Sequence, residues 1–175
     1  PAMAERYAAD AVEVSDESPE CVLQWAKALT ELAKYGEAVA QCRQILDHES
    51  LPPLVRARTL HQMGVLAAFG SDEVAKRSVP LHNRAIEIAD GLAADEDSEI
   101  AAAAGELLVD AHLAVAAGIT RGEWDKKDQY VAQWIGRASA LAEHLIERDD
   151  QYLPQRLKVA VTALNVGSRL QPPID

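Results

Sequence analysis

Apolar side chains in this chain return every three to four positions, and over no useful length do they alternate with period two. A 3.6-residue period puts them on one stripe of a helix, whereas a half-buried strand would need alternation. The periodic blocks are punctuated by clusters of Gly, Pro, Ser and Asp, and together they predict eight helices and no strand. Ala4, Tyr7, Ala8, Ala11 and Val12 mark the first, which ends at Ser15-Asp16-Glu17-Ser18-Pro19. Val22, Trp25, Ala26, Leu29 and Ala33 mark the second, entered with Ser18 as N-cap and Pro19 at the first helical position. A short turn at Tyr35-Gly36 leads into Ala38, Cys42, Ile45 and Leu46, and Pro52-Pro53 closes that helix.

Further along, Leu60, Met63, Gly64 and Ala67 share a face, and Gly70-Ser71-Asp72-Glu73 reads as a stop followed by a new cap. The helix after it should reach about Ala93, but Pro80 falls inside its pattern. Proline lacks the amide donor and clashes one turn back, so a kink or a restart capped by Ser78 is expected there. His82, Ala85, Ile86 and Ala89 resume the apolar face. Asp95-Glu96-Asp97-Ser98 should cap a helix through Ile100, Ala104, Leu107, Leu108, Ala111 and Val115, ending near Gly118. After the turn Thr120-Arg121-Gly122, a long helix from Glu123 to Arg148 should face inward with Trp124, Tyr130 or Val131, Trp134, Ala138, Leu141 and Leu145. Asp149-Asp150 breaks it. The last helix follows Pro154 and should pack Leu157, Ala160, Val161 and Leu164 inward, leaving Arg156, Lys158 and Arg169 outside, before Pro172-Pro173.

The hairpin from Pro19 to Pro52 is about 34 residues long, the period of one helix-turn-helix repeat. Its segment KYGEAVAQCRQILD resembles a tetratricopeptide repeat: Ala38 stands at the small-residue position where the two helices touch, and Ile45-Leu46 form the apolar pair. Trp25 departs from that pattern where Leu is usual, as does Cys42 where an aromatic is usual. The resemblance implies an all-α fold, a right-handed superhelical stack of antiparallel helical hairpins, with a half repeat at 1–18, repeats at 19–52 and 53–94, an elongated repeat at 95–150 and a capping helix at 151–175. It also implies a concave groove lined by first helices, in which Gln24, Lys27, Arg58, His61, Gln62 and His112 would meet a partner segment. Members that clamp a chaperone's C-terminal carboxylate use Lys, Arg and Asn there; Lys27 and Arg58 are basic, but the Asn partners are missing, so that ligand is not expected.

Composition narrows the picture. Apolar residues make up 49% of the chain and aromatics only 5%, so Ala, Leu, Val and Ile must build the core and helices must approach closely. The net charge of −11 repels phosphate backbones and argues against nucleic acid. It is uneven: residues 1–150 carry 27 acidic and 14 basic side chains, residues 151–175 one and three. No run approaches the ~18 apolar residues of a membrane span, so no insertion is expected, and a cytoplasmic location is favoured. Cys21 and Cys42 are too few for a disulfide framework. They fall on facing sides of one hairpin, which leaves a bond open, but buried free thiols are the expectation. The opening Pro1-Ala2-Met3 resembles a cloning remnant, and a start halfway through a repeat suggests a piece of a larger protein.

Chemistry-bearing patterns are sparse. His48, His61, His82, His112 and His144 have no metal-ligand spacing. Gly105, Gly118 and Gly122 mark helices and their ends and form no phosphate loop. No Gly-x-Ser-x-Gly elbow or triad spacing occurs. The expectation is a non-catalytic protein–protein interaction scaffold, without cofactor or metal, that binds a protein or peptide in its groove. The alternative is an assembly or regulatory domain that stacks on neighbouring repeats or self-associates as a homo-oligomer. A groove binder should have polar end helices; an assembly piece should expose apolar surface at its ends.

Overall fold

A computed structural model describes residues 18–70, 77–121 and 125–170. Helix takes up 85% of them, and no strand occurs among them. The seven α-helices are α1 (Pro19–Glu31), α2 (Tyr35–Leu46), α3 (Pro53–Ala67), α4 (Ser78–Leu92), α5 (Ser98–Arg121), α6 (Lys127–Arg148) and α7 (Leu153–Leu170), with one 3-10 turn at Asp150–Tyr152. The expected helix at Ala4–Val14, the cap at Ser71–Glu73, Trp124 and the stop at Pro172-Pro173 lie outside the described residues. The chain divides into two compact units, Pro1–Leu81 and His82–Asp175, so the division falls inside α4.

In the first unit, α1 and α2 form an antiparallel hairpin. Val22 and Leu23 near the start of α1 meet Ile45 near the end of α2, while Ala26 and Leu29 further on meet Ala38 and Cys42. α3 returns along α2: its early Val55 joins Ile45 and its late Leu66 joins Cys42. Ala38 and Cys42 are fully buried, because small side chains are what fit where helix backbones come close. Trp25 packs against both clusters but is only half-buried. α1 and α3 are tied by a buried polar chain: Gln62 Nε2 donates to Thr30 Oγ1 at 2.9 Å, and that hydroxyl donates to the Ala26 carbonyl at 2.8 Å.

The turn after α1 differs from the expected one. Ala33, expected on the apolar face, is exposed and has φ of 58°, a left-handed conformation. Lys34 N donates to Leu29 O at 2.9 Å and Ala33 N to Thr30 O at 3.0 Å, the pair of bonds that closes a helix on a left-handed residue. Gly36, read as the turn residue, is already inside α2. Ser18 does occupy the N-cap position, but its hydroxyl donates to the Glu20 carboxylate at 3.0 Å and to no backbone group. Pro80 lies in the first turn of α4, where a helix amide has no intrahelical partner to lose; Ser78 is that helix's first residue, not its cap.

The second unit is built from longer helices. Asp97 caps α5 by accepting from the amides of Glu99 (2.8 Å) and Ile100 (3.4 Å). α5 runs through Gly118 to Arg121, because one glycine costs a helix only about 1 kcal/mol. Val109 and Leu113 of α5 pack with Ala138, Ala142 and Leu145 of α6 and Val159 of α7. By length and composition α5 is apolar enough to cross a membrane, which corrects the reading that no segment approaches a span. Its alanines raise the apolar content without bulk, and most of that stretch is buried within the protein as a core helix.

Candidate interaction surface

The six expected groove residues separate by burial. Gln24 and Lys27 are exposed on α1, and Arg58 and His61 are half-buried on α3. Gln62 and His112 are buried, which corrects their placement on an open face. Gln62 is occupied by Thr30. His112 Nδ1 lies 2.6 Å from the Leu108 carbonyl; a carbonyl only accepts, so Nδ1 carries the proton. The His112 ring tilts against Trp134 at 5.1 Å, and the Arg137 guanidinium lies over Trp134 at 5.0 Å. Burial pushes the His112 pKa below its ordinary value, outweighing the opposing pull of the Leu108 carbonyl and Asp90, while Arg137 pushes the same way as burial. Both cysteines are free, and burial pushes the Cys42 thiol up to about 12. Cys21 is half-buried and packs in the other cluster of the hairpin. Among the described residues no group of three His, Cys, Asp or Glu side chains could hold a metal ion.

The most unusual surface is on α7, and it inverts the sequence expectation. Leu157, Ala160, Val161 and Leu164, expected inside, face outward; Leu157 is 66% exposed, Val161 47% and Leu164 75%. Leu153, one turn before Leu157, is 49% exposed. Positions 153, 157, 161 and 164 follow one helix face, so these side chains form a continuous apolar stripe about three turns long. Gln155, Val159 and Val166 point into the unit instead.

Two ion pairs flank this buried face and match the orientation. Arg156 donates to both carboxylate oxygens of Glu143 on α6, Nε to Oε1 and Nη2 to Oε2, each at 2.8 Å. Lys158 Nζ reaches both oxygens of Asp110 on α5, at 2.9 and 3.2 Å. Gln155 Nε2 also reaches Glu106 of α5 at 3.4 Å. The cations lie outside as expected, but two of them reach back to the unit on either side of the buried Val159 and Val166, and with that face turned inward the bulkier leucines are left in water. Apolar periodicity alone could not reveal this, because the partners Asp110 and Glu143 are 48 and 13 residues away along the chain.

Comparison with protein-family models, with curated proteins and with solved structures finds no match.

Proposed function

We propose that this protein is a non-catalytic helical assembly module that docks through the outward face of α7. The observation that carries the reading is the stripe Leu153–Leu157–Val161–Leu164, on a helix whose opposite face already holds it to its unit. Stacked helical hairpins bury a continuous core only by covering each successive face with the next element. The outward face of α7 is apolar and uncovered among the described residues, which supports its reading as a joining face. The antiparallel α1–α2–α3 arrangement, with small residues at the contacts, fits the tetratricopeptide-like stack that the Pro19–Pro52 hairpin resembles, and a right-handed superhelical course is part of this proposal.

The runner-up is a groove that holds a protein segment along α1 and α3. Two of its six residues, Gln62 and His112, are buried, which leaves four to make contacts. Photo-crosslinking residues placed at Leu164 and, separately, at Gln24 distinguish the two in cells that make the protein. Adducts to protein from position 164 are the expected result. Adducts from position 24 with none from 164 would return the function to the groove.

A further inference from the structure

We propose that the occupant of the α7 face is the α7 face of a second copy of this chain, paired antiparallel about a two-fold axis between Ala160 and Val161. This rests on the assembly reading above and names its partner. A two-fold contact requires a patch that matches itself when reversed, and the central part of the stripe, from 157 to 164, does. With the axis at that point, Leu157 of each copy faces Leu164 of the other and Leu153 faces Ser168. The small Ala160 sits beside the axis, where helices must come closest. An added Cβ at Gly167, on the same side of the helix as Ala160, would meet nothing within 4 Å, so the approach is open along that flank.

Charge supports the same pairing. α7 contains three cations and no carboxylate, and two identical basic helices would ordinarily repel. Arg156 and Lys158 are already neutralised by Glu143 and Asp110. The remaining cation, Arg169, lies at the C-terminal end, while Asp149 and Asp150 lie just before the N-terminal end. Antiparallel pairing brings each Arg169 level with the other copy's Asp149-Asp150; parallel pairing would set Arg169 beside Arg169 and leave the aspartates together. A lipid surface is the less fitting occupant. Only Arg169 among the α7 cations is left to meet anionic headgroups, and the chain as a whole, at −11, is repelled by them.

One helix pair is a small contact, below the roughly 1,200 Å² of standard interfaces, so the dimer should be weak, with a dissociation constant on the order of 10 μM. Sedimentation of the 175-residue chain from low to high micromolar concentration should show a monomer–dimer equilibrium. Leu157→Glu with Leu164→Glu should weaken it by more than about tenfold; both side chains are exposed, so the variant keeps its fold. Ala160→Cys, in a Cys21→Ser background, should cross-link two copies under mild oxidation, whereas Glu147→Cys on the exposed side of α6 should not.

A chain that stays monomeric throughout, or a dimer indifferent to the double substitution, overturns the proposal. If that monomer still yields protein adducts from position 164 in cells, the assembly reading stands and only its occupant falls; with no such adducts, both fall. A monomer that floats with phosphatidylserine vesicles, and loses this with Leu157→Glu and Leu164→Glu, gives the face to lipid and refutes the pairing.

Discussion

Ala33 holds the turn between α1 and α2 in a left-handed conformation, φ 58°, that costs a residue with a Cβ about 1–2 kcal/mol. Three residues later Gly36 stands inside α2, where a Cβ would meet nothing within 4 Å. Each site holds the residue better suited to the other. Ala33→Gly should gain about 0.5–1 kcal/mol, and Gly36→Ala a similar amount from helix propensity. Urea unfolding of the two variants and their combination measures this; a loss on Ala33→Gly would mean the left-handed turn is not populated. His112 gives a second residue-scale expectation. Burial holds its folded pKa below the ordinary 6.5, so the unfolded chain binds the proton more tightly. Its contribution is then fully present above pH 6.5 and is lost as the pH falls through 6.5 toward the lower folded value. Urea midpoints at pH 7.5 and 5.5 should fall for the natural chain and fall less for His112→Gln. Equal slopes would remove His112 as the cause.

Between elements, the buried Gln62–Thr30 bond adds a polar tie to the apolar packing of α1 on α3. Thr30→Val keeps the shape but leaves the Gln62 amide without its acceptor, which costs about 1–3 kcal/mol. Adding Gln62→Leu should recover most of that loss, because removing both partners removes the orphan. A double variant no better than Thr30→Val alone would show that the bond does not couple the helices. α7 supplies a sharper reversal. Val166 is buried and Leu164 is 75% exposed, so Val166→Ala should cost about 1–2 kcal/mol, while Leu164→Ala, although it deletes more carbon, should change monomer stability by less than about 0.5 kcal/mol. Thermal unfolding at low micromolar concentration checks the order. The helices themselves were legible in the sequence: all seven described ones were expected, because local periodicity, capping Asp97 and proline chemistry act within a few residues. The turn at Ala33 was not legible, since Gly36 offered a more ordinary turn residue nearby. Nor was the rotation of α7, because the residues that receive it, the α5 and α6 side chains around Val159 and the carboxylates of Asp110 and Glu143, lie on other helices. For the same reason the sequence places Gln62 and His112 with surface polar groups, whereas Thr30 and the Leu108 carbonyl accept from them inside the fold.

For the whole molecule, a net charge of −11 sets two effects against each other. Attractive pairs such as Arg156–Glu143 and Lys158–Asp110 are more than a third exposed, and pairs of that kind contribute about 0–1 kcal/mol each at low salt. Repulsion among the excess carboxylates acts over the entire surface and opposes both the compact state and the approach of a second equally charged copy. At 0.1 M salt the screening length is about 10 Å, shorter than the separation of most surface charges but longer than the contact distance in an ion pair. Salt therefore removes the repulsion before it removes the pairs. Raising NaCl from 20 to 300 mM at pH 7 (about 20 Å down to about 5 Å of screening length) should raise the melting temperature, and the same change should strengthen self-association in sedimentation. Weakening of association with salt would mean that complementary charge, such as Arg169 against Asp149-Asp150, holds the copies together and not the leucine stripe.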